Sequence, residues 1–145
     1  MPTTSPNKPR VFMDADMLFA GSAGPTEQGA SLIVLRLAEL TLIEAITTHQ
    51  VIQECEGNLA EKMSSDLPAF RLLVNRCLRV VLNPSEKEIA PYTDLANPKD
   101  LPILVTALRE ACPWLVTFNV RHYLPGHPSV VSYGRESLCC ACVIY

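Results

Sequence analysis

The chain has 145 residues, of which 48% are hydrophobic and 19% are charged, and its formal net charge is −3. This length suits about one domain, and the composition is that of a folded protein rather than a disordered chain. The acidic balance excludes a protein that is basic over its whole surface. Any contact with nucleic acid must therefore use a local basic patch or bound cations.

Cysteine usage and the lack of targeting patterns indicate the compartment. Cys55, Cys77 and Cys112 fall in apolar helical patterns, where a buried thiol behaves as a small hydrophobe. The first ten residues lack the apolar core of a signal peptide, and no run approaches the roughly 18 apolar residues of a membrane span. We therefore expect a cytoplasmic protein that does not contact a membrane.

The first third of the chain alternates between turn-forming and apolar segments. Residues 1–9 hold three prolines and small polar residues, so we expect a loose tail. The apolar run that follows predicts a buried strand over 10–15, and the Gly- and Pro-containing stretch over 22–29 predicts a loop. The spacing of Leu35 and Ala38 with their apolar neighbours predicts a helix after that loop.

The rest of the chain alternates strand patterns with helical ones. Strands are predicted over 40–48, 79–83, 114–119 and 129–133. Capping boxes from Thr47 to Gln50 and from Ser85 to Glu88 predict two helix starts, and a short helix is predicted after the last strand. Short apolar strands that alternate with helices indicate an α/β fold whose parallel sheet is covered on both faces, in one domain over 10–145.

Polar side chains follow two of the predicted strands. Asp14 and Asp16 end the first strand, and Thr117 and Asn119 end the fourth. Asp100 begins the helix that leads into the fourth strand. Because parallel sheets place function beyond the carboxyl ends of their strands, where strand order reverses, we expect these side chains near one edge of the sheet.

A further acid, Glu54, lies on the helix after the second strand, beside its apolar seam. Taken alone, Glu54 has the ordinary interpretation of a solvated surface group, and Asp100 that of a helix cap. Hard cations such as Mg²⁺ or Mn²⁺ prefer oxygen ligands. Carboxylates from Asp14 and these separated segments would make such a site if they converge at one edge.

Four segments of the chain, in this order and spacing, resemble the PIN domain: VFMDADMLFAG, VIQECEGNL, NPKDLPILVTAL and LVTFNVRHYLPG. The resemblance covers roughly residues 10–133 and is greatest to the VapC-like branch, which includes toxins of bacterial toxin–antitoxin pairs. It implies a Rossmann-like α/β/α sandwich with strand order 3-2-1-4-5. It also implies a ribonuclease dependent on Mg²⁺ or Mn²⁺, with RNA as substrate and with a cognate antitoxin and a second copy of the chain as partners.

The resemblance also implies roles for individual residues. Asp14, Glu54 and Asp100 match the metal-binding acids, and Asn119 occupies the fourth catalytic position, where many relatives carry an aspartate. Thr117 matches the residue whose hydroxyl bonds the first aspartate. With metal bound at these acids, an activated water would attack the scissile phosphate.

Two departures from the family pattern concern Asn119 and Asp16. An amide oxygen can ligate a cation but carries no charge. Asp16 stands where asparagine is common, and we hypothesise that it restores the missing charge, because residues i and i+2 of an extended chain point the same way. Arg121 is the candidate phosphate contact, although a solvated loop arginine explains it equally well. His122 replaces an acid common at its position and is assigned no ligand role.

Two other functions compete with the nuclease. In a non-catalytic PIN-like binding module, the missing fourth acid would mark lost activity. Phosphatases of the haloacid dehalogenase type also begin with an apolar strand that ends in DxD, with Asp14 as nucleophile, Asp16 as acid and base, and Thr47 ending the second strand. Against the phosphatase, Lys99 directly precedes Asp100 and the fourth strand ends without an acid.

Overall fold

The computed structural model describes residues 8–22 and 29–134, and within them it contains five strands and six α-helices. The strands are β1 (Arg10–Met13), β2 (Glu44–Thr48), β3 (Leu78–Val81), β4 (Trp114–Val116) and β5 (Val131–Tyr133). The helices are α1 (Ala15–Ser22), α2 (Gly29–Glu39), α3 (His49–Lys62), α4 (Leu67–Cys77), α5 (Glu86–Ile89) and α6 (Leu101–Arg109). Short 3₁₀ turns lie at Ser64–Asp66, Ala90–Tyr92 and Val120–Tyr123.

The five strands form one parallel sheet in the order β3-β2-β1-β4-β5. In the central strand, Phe12 lies opposite Ile46 of β2 and Leu115 of β4, and all three side chains are buried. Helices α1 to α4 pack among themselves, and α5 packs with α6. The predicted α/β class and strand order 3-2-1-4-5 are confirmed. The strand order reverses between β1 and β4, where function is expected.

The start of α1 directly after β1 corrects the prediction of a strand over 10–15 followed by a loop. The backbone N–H of Leu18 donates to the carbonyl of Asp14 (3.1 Å), which is the first bond of the helix. The Asp14 carboxylate also accepts from the N–H of Ala15. Asp14 therefore ends the strand and begins the helix. Asp16 lies in a helical turn, so the argument from an extended chain was wrong for it.

The predicted strand over 40–48 begins only at Glu44, because its first residues finish helix α2. The N–H of Leu42 donates to the carbonyl of Leu37 (2.9 Å), and the N–H of Thr41 donates to that of Ala38 (3.0 Å). Thr41 has a φ of 61°, the left-handed conformation usually taken by glycine at this position. This backbone turn satisfies the last carbonyls of α2 and delays the strand.

The two predicted helix starts differ in outcome. At α3 the cap is Thr48, whose hydroxyl accepts from the N–H of Val51 (3.3 Å), so the prediction of Thr47 was wrong by one residue. The hydroxyl of Thr47 points into the sheet instead and donates to the Met13 carbonyl (3.1 Å). At α5 the predicted cap is confirmed, since Ser85 accepts from the N–H of Glu88.

Several predictions concern parts of the chain that the structure does not describe. Most of the expected tail over 1–9, the centre of the loop over 22–29 and the short C-terminal helix lie outside the described residues.

Within residues 8–22 and 29–134, no helix is both long and apolar enough to cross a membrane. Cys55, Cys77 and Cys112 are buried thiols, as the apolar helical patterns predict.

Candidate active site at the carboxyl edge of the sheet

The candidate site lies where β1 and β4 end beside each other. The N–H of Asp14 donates to the carbonyl of Val116 (3.0 Å), and the N–H of Thr117 donates to the carbonyl of Tyr133 (3.0 Å). These bonds continue the sheet ladder by one residue past β1 and β4. The sheet itself therefore holds the backbone of Asp14 and Thr117 side by side.

The Asp14 carboxylate is buried, at 7% exposure, and it accepts hydrogen bonds from three donors. The N–H of Ala15 donates to Oδ1 (2.7 Å), and the hydroxyl of Thr117 donates to Oδ2 (2.9 Å). The hydroxyl of Tyr123 also donates to Oδ2 (2.7 Å). The bond from Thr117 that the resemblance implies is thus present, and together the donors offset the cost of burying the carboxylate.

Tyr123 is a site residue that the sequence analysis missed. It is 1% exposed and ends the 3₁₀ turn Val120–Tyr123. Burial, and after it the charge of Asp14, raise the pKa of its phenol well above the usual range, so the hydroxyl remains a donor. Tyr123 lies 109 residues from Asp14 in sequence. The only available signal was an aromatic residue with a polar tip soon after the fourth strand.

Asp16 and Asn119 form a hydrogen-bonded pair next to Asp14. The amide Nδ2 of Asn119 donates to Oδ2 of Asp16 (2.9 Å), and the N–H of Phe118 donates to both carboxylate oxygens (3.3 Å each). The pKa of Asp16 is raised to about 6, chiefly by burial and then by the charge of Asp14, with a smaller contribution from Asp100. The backbone donors act against this rise without cancelling it.

Asp100 approaches the same edge from the start of α6. It occupies the N-cap position, but its side chain makes no capping hydrogen bond. Instead Oδ2 of Asp100 lies 3.0 Å from Nδ1 of His122. Burial, and after it the charge of Asp14, raise the pKa of Asp100, while His122 and Lys99 act in the opposite direction. The interpretation of Asp100 as a side-chain helix cap is therefore wrong.

Glu54 and Arg121 are not drawn into this cluster. Both side chains are exposed, and neither makes a hydrogen bond or ion pair with any residue in the two described ranges. The turn of α3 that carries Glu54 nevertheless lies close to the site, because Sγ of Cys55 donates to the carbonyl of Ala15 (3.3 Å). Asp14, Asp16, Asp100, Thr117 and Asn119 are brought together as the sequence predicts.

The donor chemistry of the cluster fits a hard divalent cation, although its ligand set is incomplete. Among the residues that the structure describes, no group of three or more His, Cys, Asp or Glu side chains could hold a metal ion. Asp14, Asp16 and Asp100 still offer only oxygen atoms, which Mg²⁺ and Mn²⁺ prefer. A cation near them would relieve the repulsion that helps raise the pKa of Asp16 and Asp100.

The phosphatase interpretation loses one of its residues in this arrangement. It needs the hydroxyl of Thr47 at the end of the second strand to face the reacting phosphate. Thr47 is fully buried, and its hydroxyl donates to the Met13 carbonyl within the sheet. The hydroxyl is therefore not available to a phosphate at the edge.

The fold is found in solved VapC structures. A structure of VapBC2 from Rickettsia felis, bound to a DNA fragment from its promoter, matches with a TM-score of 0.63 and 14% identity, over 86% of this chain and 98% of the other. A structure of VapC20 from Mycobacterium tuberculosis, a sarcin-ricin loop cleaving toxin, matches with a TM-score of 0.54 and 16% identity, over 72% of this chain and 86% of the other.

These two matches establish the architecture of the chain. The chain has a VapC-like PIN fold, and the fold that the resemblance implies is confirmed. At 14% and 16% identity, the likeness bears on the fold alone. No protein-family model matches the chain, and no curated protein matches it.

Proposed function

We propose that this chain is a ribonuclease that hydrolyses phosphodiester bonds in RNA and depends on Mg²⁺ or Mn²⁺. The observation that carries the proposal is the gathering of Asp14, Asp16 and Asp100 at the point where the strand order reverses. The charge of Asp14 helps raise the pKa of Asp16 and of Asp100, which costs stability, so the presence of these acids at a functional edge favours chemistry over a structural role. The shared fold with VapC20, a sarcin-ricin loop cleaving toxin, supports RNA as the substrate class.

The proposed metal ligands are Asp14, Asp100 and Glu54. The first two already lie at the edge, and the closeness of Cys55 to Ala15 supports including Glu54, whose turn of α3 packs beside the start of α1. When bound, the cation would lower the pKa of a water and offset charge on the phosphate oxygens. No side chain of the protein needs to act as the nucleophile.

The other residues of the edge have supporting roles in this proposal. Thr117 fixes the Asp14 carboxylate, and Asp16 adds the negative charge that Asn119 lacks. Asn119 contributes an amide to the catalytic group and is held in place by Asp16. Arg121 is exposed two residues further on and is the proposed contact to an RNA phosphate.

The proposed biological setting is that of a toxin in a toxin–antitoxin pair. The VapBC2 structure, solved with promoter DNA, supports a cognate antitoxin as a protein partner. A second copy of the chain is a further proposed partner, and the cytoplasm is the proposed location, where RNA is accessible and thiols stay reduced.

A non-catalytic binding module is the second candidate, and two observations favour it. No complete metal-binding group exists among the described residues, and Asn119, which pairs with Asp16 through Nδ2, contributes no negative charge to the cluster. Such a module would bind RNA or protein through the same edge without cleaving a bond.

The test is a cleavage assay on a panel of structured and single-stranded RNAs, with Mn²⁺ and with EDTA. We expect cleavage that EDTA abolishes and that Asp14→Asn and Asp100→Asn each lower by at least about 100-fold. Asp94→Asn is the matched control, because Asp94 is exposed and makes no contact with the cluster. RNA that is bound but never cut under these conditions would favour the binding module.

A further inference from the structure

The hydroxyl of Tyr123 gives the Asp14 carboxylate an unusually complete set of partners. A carboxylate offers about four acceptor positions, two on each oxygen. Within the described residues, Oδ2 accepts from both Thr117 and Tyr123, and Oδ1 accepts from the N–H of Ala15. Tyr123 therefore supplies the second of two hydroxyl bonds to Oδ2, the oxygen that Thr117 also holds.

Packing alone does not explain a tyrosine at this position. The ring is buried with the core, and a phenylalanine would fill nearly the same volume. Burying a hydroxyl is unfavourable unless it is hydrogen-bonded, and Tyr123 meets this need with a short, charge-assisted bond of 2.7 Å to Asp14. The hydroxyl is thus specifically matched to the carboxylate.

The turn that carries Tyr123 also contacts the second acid. His122, the preceding residue, lies 3.0 Å from Asp100, and its carbonyl accepts from the N–H of Asn97 (2.7 Å). The turn is fixed again further on, where the N–H of Gly126 donates to the carbonyl of Leu95 (2.8 Å). One short segment therefore holds both Asp14 and the start of the Asp100 helix.

We propose that Tyr123 is a positioning residue, which fixes the orientation of the Asp14 carboxylate for a bound cation. This inference rests on the proposed metal-dependent function. Thr117 alone would hold Oδ2 through a single hydroxyl bond, about which the carboxylate could turn. Tyr123 adds a second bond to the same oxygen and restricts that movement.

The substitution that isolates this role is Tyr123→Phe, which keeps the ring and removes the donor. We expect the affinity for Mn²⁺ to fall about tenfold or more, as is typical when the partner that orients a metal ligand is lost. We expect kcat for RNA cleavage to fall and KM for RNA to change by less than about twofold, because Tyr123 is buried and does not contact substrate.

The measurement is a calorimetric titration of the full chain with Mn²⁺, together with steady-state cleavage of one RNA. Tyr92→Phe is the matched control, because the Tyr92 hydroxyl makes no hydrogen bond with the described residues and its ring lies against His127. Urea unfolding of the metal-free chain in a cycle of Tyr123→Phe with Asp14→Asn tests the contact itself. We expect the two substitutions to be non-additive.

The outcomes separate this inference from the proposed function. If the unsubstituted chain neither binds Mn²⁺ nor cuts RNA, the proposed function fails and the inference fails with it. If the unsubstituted chain binds Mn²⁺ and cuts RNA, then an affinity of Tyr123→Phe for Mn²⁺ within twofold of that of the unsubstituted chain would overturn this inference but not the proposed function. Additive unfolding in the cycle would overturn it as well, since Tyr123 would then not act through Asp14.

Discussion

The two ends of the sheet differ in how their acidic side chains are paired. At the amino end, Glu44 lies between two arginines, with Nε of Arg10 at 3.2 Å and Nη1 of Arg79 at 2.8 Å. Arg10 also donates from Nη1 to the carbonyl of Glu110 (2.8 Å). At the carboxyl end, the acids gather with one another, and the salt-bridge contact found there within the described residues joins Asp100 to His122 (3.0 Å).

The contrast distinguishes charges that hold the fold from charges that are available to a ligand. Burial alone would raise the pKa of Glu44, but the hydrogen bonds and charges of Arg79 and Arg10 outweigh it and lower that pKa. At the other end, burial and neighbouring acids raise the pKa of Asp16 to about 6. The carboxylate at the amino end is paired with arginines, whereas the pKa of Asp16 at the carboxyl end is raised because its neighbours include other acids.

Among the three substitutions that test this contrast, the largest effect is expected at Glu54, which the proposed metal site at the carboxyl end requires as a third acid. Glu54→Gln should weaken Mn²⁺ binding about tenfold or more, because a third carboxylate would be lost from the metal. Isothermal titration with Mn²⁺ measures this. Glu61→Gln, also on α3 and exposed, is the matched control and should leave the affinity unchanged. Equal affinities of the two variants would remove Glu54 from the proposed site.

A smaller effect is expected where Asp16 meets Asn119. Asn119→Asp places a second carboxylate against Asp16 across a contact of 2.9 Å. The free energy of unfolding of the metal-free chain should fall by about 1 kcal/mol. The loss is no larger because position 119 is exposed and solvent weakens the repulsion. The double variant Asp16→Asn with Asn119→Asp exchanges the two groups and should recover most of the loss. Urea unfolding of Asp16→Asn, of Asn119→Asp and of the double variant measures the cycle. Failure of the exchange to recover stability would show that the two positions are not equivalent.

The smallest effect is expected at the amino end of the sheet. Glu44→Gln should lower the free energy of unfolding by about 0.5 to 1 kcal/mol, because its ion pairs are partly exposed, and it should leave RNA cleavage unchanged. The pKa of Glu44 in the folded chain lies below its ordinary value of 4.5, so its contribution to stability is present above that pH and is lost as pH falls through the lowered pKa.

Stability measured by urea unfolding from pH 7 down to pH 3 checks this dependence. The difference between the original chain and Glu44→Gln should shrink as the pH drops below about 4.5. A difference that persists in acid would mean that the arginines act on the fold in some way other than through the Glu44 charge.

The sequence was sufficient to predict the layers of the fold but not all of its junctions. The apolar runs predicted five strands, and the resemblance supplied their order. Helix α1 was missed because Asp14 both ends β1 and begins the helix, so no turn residue separates the two elements. At α3, two adjacent threonines could each cap the helix, and only the sheet pairing selects Thr48 over Thr47.

The site could be predicted from the sequence to a similar extent, in its strand ends but not in its turns. Asp14 and Thr117 follow neighbouring strands, so their contact follows from strand order. The contact of Tyr123 with Asp14 depends on how a 3₁₀ turn folds back after β4, which no local pattern specifies. The pairing of Asp16 with Asn119 was likewise hidden, because it needs the helical geometry of α1.

The hydrogen bonds on Asp14 also bear on the order of synthesis. Its two side-chain partners lie 103 and 109 residues later in the chain. A ribosome therefore makes Asp14 and Asp16, which follow β1, long before it makes the groups that orient them. For a protein proposed to cut RNA, this spacing delays assembly of the proposed active edge until Tyr123 has been translated, and a chain that ended earlier would carry the acids without the groups that orient Asp14.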